Sequence, residues 1–498
     1  MTNDFTTEKA EELNNSELLD VHRWSSYPEV NSAVDHIYDE MQSLDDFSGR
    51  PTIRKRHIKV IILDLYVKWL TDPEMYIAYQ RGNDAYKRGR YNKLHISKVT
   101  PLIVNDLISL GYLEHVMGHY GRDGVHTSHY SRMRTTDRLR GLFEEQSITE
   151  DMIEKAPNTE CIILRDLDEN GNKFDVEYED DNQTIQWRQD LYAYNNLLRV
   201  THIGIPTFPE DGLPTKQRKK SKRKPRRIRI NKHNKFVRRV FNNGSWDDGG
   251  RFYGGWWQGM PSEWRGRIYI NGHTTVEIDY SGLHIVLLYQ LEGIDYWNDV
   301  GEDPYQLDGW EQSESMRDFL KLVLLSSINS PTIESTIKAV RMEVNFNKED
   351  YGWIQEESIS IKEIVLLFMD RHSHIAHYFS SGYGVKLQSI DSRIAEHVIN
   401  QLTIEGIPVL CIHDSFIVTL DKQERLHELM IDGFREIQND HSLDPKVKGI
   451  KDIEFTAIRI PNNKIDKMTE GISNFKSVYM NEVKETLSLK SNMERYKQ

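Results

Sequence analysis

The chain has 498 residues, an apolar fraction of 38% and a net charge of −13, and its length predicts two or three domains rather than one. Its two cysteines, Cys161 and Cys411, are too few for a disulfide framework or a cysteine zinc site. No apolar run is long enough to span a bilayer and the first residues are not of signal type, so we expect a soluble, cytoplasmic protein without a membrane partner.

Residues 1–53 form an acidic lead-in without a clear hydrophobic period. From residue 54 onward the pattern changes, and the apolar run at 58–67 predicts a mostly buried helix. A second helix is predicted over about 97–110, with Ser97 as its N-cap. A glycine, a strand, a glycine-rich turn and a basic return strand follow.

This order of helix, glycine and basic hairpin resembles a winged helix-turn-helix domain over residues 54–150. In such domains the second helix lies in a DNA groove and the wing contacts backbone phosphates. The resemblance therefore implies DNA contacts for Arg122, Arg132 and Arg134. The alternative is a helix–hairpin unit that packs on the rest of the protein and touches no DNA.

Residues 151–237 are predicted to hold a hairpin, a helix and a basic strap, together a thumb or linker. Residues 166–177 have the spacing of an EF-hand calcium loop. Their flanks, however, have the pattern of strands, whereas a calcium loop needs helices on both sides. Asn170-Gly171 is a common hairpin-turn pair, so we predict a structural hairpin. A helix is predicted over 184–200.

In the basic strap, ten of the fourteen residues from Lys216 to Arg229 are Lys or Arg. Such a segment in an acidic chain concentrates phosphate attraction in one place. The alternative is a solvated linker, which could still bind phosphates. The candidate nucleic-acid ligands in the strap are Lys219, Lys220, Arg226 and Arg227.

Residues 238–498 place two aspartates, Asp279 and Asp414, where apolar runs meet. A carboxylate held at the end of an apolar strand persists when it is paired or binds a cation. Two such carboxylates that met in space would repel each other unless metal ions lay between them. The pattern therefore indicates a two-metal centre for phosphoryl transfer.

Three segments around the first aspartate, 249–261, 264–267 and 279–284, resemble the family A DNA polymerases and, more distantly, the phage-type single-subunit RNA polymerases. Their order matches a T-G-R segment, a short Leu-Gln-Asn-Ile-Pro-like run, an arginine-rich turn and D-Y-S-x-x-E. The second aspartate lies in His413-Asp414-Ser415. That motif is His-Asp-Glu in most family A DNA polymerases and His-Asp-Ser in the phage RNA polymerases. The resemblance covers about 238–456.

Two further segments extend the resemblance. Residues 388–395 are similar to the family's helix before the second catalytic hairpin, and Arg317 and Lys321 look like the fingers motif that grips a triphosphate. Because these two cations are four residues apart on a predicted helix over 316–327, they share one helical face.

The resemblance implies an α+β fold with a right-hand palm and fingers over 238–498 and a helical C-terminal tail, preceded by the helical and winged-helix-like region. It implies two Mg²⁺ ions held by Asp279 and Asp414 and by the backbone carbonyl of Tyr280. It also implies triphosphate contacts for Arg317 and Lys321. The implied template and primer contacts are Arg251, Gln258, Gln388 and His413.

Three residues of the expected nucleotide site depart from the family pattern. One of them, Leu325, replaces an aromatic residue one helical turn before position 329. His284 stands where family A DNA polymerases carry a glutamate that helps to exclude ribose, and Asn329 stands where the fingers helix usually carries a tyrosine. Sugar selection in this family depends on a steric clash with the wrong substituent. The sequence therefore leaves open whether deoxyribonucleotides or ribonucleotides are used.

The function we expect is a DNA-dependent DNA polymerase of family A type without proofreading, in phage or mobile-element replication. Its expected partners are DNA template, DNA primer and nucleoside triphosphates, and replication accessory proteins are candidate partners. The first alternative is an RNA polymerase or primase built on the same palm. The second, from another class, is a non-catalytic winged-helix replication initiator or regulator.

Overall fold

The structure is a computed structural model that describes residues 13–449 except 14, 46, 83–85, 87, 119–128, 210–211, 215–226, 311–312, 348–350, 357–358, 441–442 and 444. The described strands are Ser16–Leu18 (β1), Arg23–Trp24 (β2), Tyr76–Tyr79 (β3), Leu113–Val116 (β4), Ser131–Thr135 (β5), Glu154–Lys155 (β6), Ile162–Leu167 (β7), Lys173–Asp175 (β8), Ile203–Gly204 (β9), Leu213–Pro214 (β10), Arg227–Ile228 (β11), Arg238–Phe241 (β12), Gly249–Tyr253 (β13), Tyr269–Ile270 (β14), His273–Tyr280 (β15), Leu410–Ile412 (β16), Ser415–Thr419 (β17) and Val447–Gly449 (β18). The described α-helices are Pro28–Met41 (α1), Pro51–Thr71 (α2), Thr100–Ser109 (α3), Asp137–Glu145 (α4), Asn182–Val200 (α5), Ser262–Arg265 (α6), Leu283–Leu291 (α7), Glu314–Asn329 (α8), Ile333–Phe346 (α9), Trp353–Glu356 (α10), Ile361–Arg371 (α11), Gly384–Ile404 (α12) and Gln423–Gln438 (α13).

The chain divides into two compact units, the first within Met1–Glu160 and Phe208–Phe236 and the second within Cys161–Thr207 and Val237–Gln498. Both units mix helices and sheets, so the fold class is mixed α and β. Within the described ranges, no helix has both the length and the apolar character needed to cross a membrane. The finer domain boundaries expected from the sequence stay a prediction.

The first unit is built on a four-stranded sheet in the order β1-β3-β5-β4, in which β1 and β3 are parallel and the other pairs are antiparallel. Helices α1, α2 and α3 each carry a proline in the first turn, which favours helix initiation because its φ angle is already helical. The predicted buried helix at 58–67 is confirmed as the middle of α2, whose side chains lie in the apolar core of this unit.

The predicted N-cap of α3 is wrong. The helix begins at Thr100 after Val99, and the Ser97 hydroxyl instead accepts a hydrogen bond from the Val99 backbone N–H. The backbone N–H of Ser97 donates to His57 of α2. Ser97 therefore forms a local turn and a contact with the neighbouring helix.

The second unit holds a four-stranded sheet, β13-β12-β7-β8, and a six-stranded sheet, β16-β17-β15-β14-β9 with β18 beside β15. The predicted structural hairpin is confirmed: β7 and β8 are antiparallel, and Gly171 in their turn has a φ of 77°. The Asp168 carboxylate accepts hydrogen bonds from the backbone N–H groups of Asn170 and Asn172. This aspartate therefore stabilises the turn.

The helices of the second unit form two groups. Helix α12 packs on α13 and on β13, while α8, α9 and α11 pack together. Among the described residues of this unit, four α-helices start at a polar residue whose side chain accepts a backbone hydrogen bond from the first turn. These caps are Asp181 for α5, Ser313 for α8, Thr332 for α9 and Ser360 for α11.

Candidate active site

The two aspartates singled out in the sequence lie side by side on the six-stranded sheet. Asp279 is the next-to-last residue of β15, and Asp414 lies in the two-residue turn between β16 and β17. The register pairs Asp279 with Ser415, the residue after Asp414. Antiparallel pairing of these strands therefore brings together two carboxylates that are 135 positions apart in the numbering (414 − 279).

The environment of Asp279 disfavours its negative charge. Burial, followed by the negative charge of Asp414, raises the pKa of Asp279 to about 7, and the nearby Glu277 adds to this effect. The positive charge of Lys321 acts in the opposite direction. One carboxylate oxygen of Asp279, Oδ1, is buried and has no hydrogen-bond partner among the described residues. The positive charge of Lys321 therefore offsets the repulsion between Asp279 and Asp414 only in part.

The turn that carries Asp414 has an uncommon backbone. His413 has a φ of 59°, in the left-handed region that few non-glycine residues adopt. Its ring makes an edge contact with Tyr253 of β13, with ring centroids 5.5 Å apart. Backbone conformations that few residues adopt occur often at functional sites, where the surrounding packing holds them in place.

Glu277 lies two residues before Asp279 and is almost completely buried, with 5% of its surface exposed. Both of its carboxylate oxygens accept hydrogen bonds from Arg265, at 2.9 and 2.8 Å. The Ser415 hydroxyl also donates to Glu277, at 2.8 Å. Ser415 therefore has a partner on β15.

A cationic helix face lies near the carboxylates. Arg317 and Lys321 of α8 both lie over the ring of Tyr305, at 5.1 and 5.4 Å from its centroid. Tyr305 is 5% exposed, and burial followed by the charge of Asp414 raises its pKa above the usual range. The ring is thus near both the carboxylates and the two cations.

The turn between β15 and α7 requires a glycine at Gly282. Its φ is +65°, and a Cβ atom there would lie 2.9 Å from the Pro304 ring and 4.0 Å from the Tyr305 hydroxyl. This close approach holds the segment around Tyr305 against Gly282, which precedes α7 and lies three residues after Asp279.

Arg317 forms an ion pair with Asp303, so the residue predicted to bind the triphosphate is already paired with a carboxylate of the protein. Lys321, Leu325 and Asn329 follow Arg317 at intervals of four on α8 and line a cavity of about 440 Å³. Asn329 is exposed, and its Nδ2 donates to the Leu325 carbonyl. The structure thus places three of the predicted nucleotide-binding residues on one helix face.

Arg251 and His284, predicted from separate motifs, meet at the buried carboxylate of Asp391 on α12. Arg251 makes an ion pair with Asp391, and His284 Nε2 lies 2.9 Å from an oxygen of the same carboxylate. Arg251 Nη2 is also 3.1 Å from His284 Nε2. Asp391 is 1% exposed, so this cluster fixes both side chains.

Gln258 supports the hairpin that carries Asp414. Its side-chain amide donates to the carbonyls of Phe252 and Cys411, and its oxygen accepts from the Gly254 N–H. Trp257 is fully buried and donates to the same Cys411 carbonyl. The Trp257 side chain is therefore part of the core of this unit.

The remaining predicted nucleic-acid ligands are spread over the chain. Gln388 is half-buried on α12. In the first unit, Arg132 donates to backbone carbonyls, including that of Tyr130, and Arg134 makes ion pairs with Glu74 and Glu114. Arg227 of β11 donates to the Gly212 carbonyl. Arg122, Lys219, Lys220 and Arg226 lie outside the described residues.

Asp279 and Asp414 are the side chains best suited to hold a divalent cation. No group of three or more His, Cys, Asp or Glu arranged for a metal was found in the described part of the chain. The two carboxylates fit a hard cation nonetheless, because one oxygen of Asp279 is buried without a partner and the charges repel. Tyr280, expected to add its carbonyl, is buried, and its hydroxyl donates to the Met430 carbonyl.

Sequence reasoning gave no role to Glu277, Asp303, Tyr305 or Asp391. Of these, only Glu277 could have been predicted to lie near the site from the sequence. Residues two apart on a strand share one face, so Glu277 lies on the same face as Asp279. The other three come from loops or from a distant helix and meet the site only through tertiary packing.

No protein-family model matches the chain, and no curated protein matches it. Among solved structures, the chain is similar to the POL domain of Pol1 from M. smegmatis, in complex with DNA primer-template and dNTP, at 14% sequence identity and a TM-score of 0.24. The match covers 41% of this chain and 45% of that one. The similarity thus spans less than half of that chain, and at this TM-score it carries no argument about the fold or function of this protein.

Proposed function

We propose that the protein is a template-directed nucleotidyltransferase, a DNA-dependent DNA polymerase of family A type, and that the second unit holds its palm and fingers. The observation that carries the proposal is the placement of Asp279 and Asp414 side by side at a strand end, with the charge of Lys321 acting on Asp279. Paired carboxylates facing a cationic helix suit phosphoryl transfer, which is mostly positioning and electrostatic stabilisation.

In this proposal Asp279 and Asp414 hold the divalent cations. Bound there, two Mg²⁺ ions would activate the primer hydroxyl and neutralise the triphosphate. Lys321 and Arg317, one helical turn apart, would attract the phosphates. Arg251, held by Asp391, and His413, next to Asp414, are proposed to contact the primer–template.

The test is primer extension on a single-stranded DNA template with Mg²⁺. Asp279→Asn and Asp414→Asn should each lower the extension rate by about a thousand-fold or more, since each removes a cation ligand. Asp421→Asn, an exposed aspartate in the same unit, is the matched control and should keep the wild-type rate. Extension that survives both active-site substitutions would exclude this function.

An RNA polymerase or primase is the second candidate, favoured by His284 and Ser415. His284 stands where the resemblance expects a glutamate and lies against Asp391, and Ser415 is bound to Glu277. Deoxyribonucleotides and ribonucleotides offered separately, with and without a primer, distinguish the two. Ribonucleotide-only products would replace the DNA polymerase proposal.

For the first unit we propose a DNA-binding role through α3 and the β4–β5 hairpin, supported by the order of these elements. Arg134 is already paired with Glu74 and Glu114, so its contact with DNA would require these pairs to open. Fluorescence anisotropy with duplex DNA tests this role. Binding that is unaffected by Arg132→Ala and Arg134→Ala would show that this hairpin is not the DNA contact.

A further inference from the structure

We propose that Glu277 is a positioning residue for the Asp279–Asp414 pair. Arg265 anchors it, and its contact with Ser415 connects β15, which carries Asp279, to the residue that directly follows Asp414. The inference rests on the proposed function, which makes the pair a cation site. It gives a role to Glu277, Ser415 and Arg265, which lie beside the two aspartates.

The first step is the geometry of the strands. Glu277 and Asp279 point to the same face of β15 because they are two residues apart. Ser415 is directly opposite Asp279 on β17 and directly follows Asp414. A hydrogen bond from the Ser415 hydroxyl to Glu277, at 2.8 Å, therefore connects the two strands at the level of the aspartates.

The second step is the anchoring of Glu277 itself. Arg265 binds both oxygens of Glu277 in a two-point ion pair, and its Nη1 also donates to the Met260 carbonyl at 3.2 Å. The side chains of Glu277 and Arg265 are 4% and 19% exposed. Two-point arginine–carboxylate pairs are geometrically specific, so the Glu277 carboxylate has one well-defined position.

The third step separates positioning from direct cation binding. Both oxygens of Glu277 are occupied by Arg265, whereas Oδ1 of Asp279 has no partner among the described residues. Glu277 is therefore suited to hold the neighbouring ligands in place. The positive charge of Arg265 also reduces the repulsion that the negative charge of Glu277 adds around Asp279.

Outer residues that orient metal ligands contribute about 10–100-fold to metal affinity. We therefore expect Glu277→Gln to weaken Mn²⁺ binding by about 10–100-fold, because Gln cannot keep the two-point pair with Arg265. Ser415→Ala removes one hydrogen bond only, and we expect a loss of about 3–10-fold. Mn²⁺ binding to the full chain without DNA is measured by paramagnetic resonance titration, with thermal unfolding in parallel.

Glu396→Gln is the matched control. Glu396 pairs with Arg239 at 2.8 Å, and Arg239 is 2% exposed in the same unit. This variant also breaks a pair with a buried arginine, so it should lower the unfolding temperature and leave Mn²⁺ affinity at the wild-type value. A role of Glu277 in general stability alone would instead give the same Mn²⁺ affinity in Glu277→Gln and Glu396→Gln.

Asp279→Asn separates this inference from the proposed function. If Asp279→Asn binds Mn²⁺ as well as the wild type, the proposed cation site fails and this inference with it. If Asp279→Asn loses Mn²⁺ binding while Glu277→Gln and Ser415→Ala keep it, only the positioning role is overturned. Ser415→Ala leaves the Arg265–Glu277 pair intact, so it remains informative if Glu277→Gln does not fold.

Discussion

Arg317 and Asp303 form a two-point ion pair, in which Arg317 Nε and Nη2 lie 2.5 and 3.2 Å from the two carboxylate oxygens of Asp303. Arg317 is the residue that the fingers-like motif assigns to the incoming triphosphate. A carboxylate of the protein therefore holds the position where the proposed reaction needs a phosphate. In the proposed reaction, a phosphate of the nucleotide has to replace the Asp303 carboxylate at Arg317.

We predict that Asp303→Asn lowers the KM for nucleoside triphosphates about 2–5-fold with little change in kcat. The side chains of Arg317 and Asp303 are 35% and 24% exposed, and ion pairs at such sites contribute only about 0–1 kcal/mol. Steady-state primer extension over a range of nucleotide concentrations measures both constants.

Asp308→Asn is the control for this prediction, because Asp308 is a fully exposed aspartate of the same loop. It lowers the local negative charge without freeing Arg317. A higher KM in Asp303→Asn would show instead that Asp303 holds Arg317 in its productive position.

Local sequence patterns were sufficient where the structure depends on neighbouring residues. The apolar run at 58–67 predicted the buried helix, and Asn170-Gly171 predicted the hairpin turn. Ser97 was misassigned because a serine hydroxyl bonds equally well to a nearby N–H in a turn. The local sequence pattern is therefore the same for a serine that caps a helix and for a serine in a turn.

The site could be predicted only in part, because partner choice depends on tertiary packing. The resemblance placed Asp279 and Asp414 in one centre, and the structure brings them together, while their catalytic role stays a prediction. Arg251 was expected to contact nucleic acid, and nothing local to it showed that Asp391, 140 positions away, would hold its guanidinium. Charge and spacing identify a cation but do not identify its partner.

Tyr305 is expected to hold in place Arg317 and Lys321, the two cations proposed to bind phosphate. We predict that Tyr305→Leu raises the KM for nucleoside triphosphates about 3–10-fold, since cation–π contacts with Arg317 and Lys321 contribute roughly 0.5–1 kcal/mol each. Tyr305→Phe keeps the ring and should stay within about 2-fold of the wild type. Equal effects of the two substitutions would assign the role to the hydroxyl group rather than to the ring.

Removal of divalent cations should destabilise the wild-type protein. We predict that saturating Mg²⁺ raises the unfolding temperature of the metal-free protein by roughly 2–6 °C, because the cation relieves the repulsion that raises the pKa of Asp279. The double variant Asp279→Asn, Asp414→Asn should unfold at a higher temperature than the wild type in a chelator and show no response to Mg²⁺. Thermal unfolding followed by fluorescence measures both; a double variant that still responds to Mg²⁺ would locate the cation elsewhere.

His372 gives the second unit a pH-dependent stability that is independent of the aspartates. Its ring is 1% exposed, Nε2 donates to the Pro304 carbonyl at 3.0 Å, and Nδ1 accepts from the Tyr289 hydroxyl at 3.0 Å. A proton on Nδ1 would break the second hydrogen bond. Burial lowers the pKa of His372 from 6.5 to about 4, and the charge of Arg371 adds to this effect.

The folded protein therefore disfavours the charged imidazole, whereas the unfolded chain protonates it near pH 6.5. The stabilisation is fully present above pH 6.5 and is lost as the pH falls from 6.5 towards 4, by up to about 3 kcal/mol. His372→Gln should be less stable than the wild type at pH 8 and should show a weaker dependence on pH between 6.5 and 4.5, because glutamine carries no charge. Urea unfolding at a series of pH values measures the difference between the two proteins, in which the contributions of other titrating groups cancel. A difference that stays constant over this range would show that His372 is not the group that titrates.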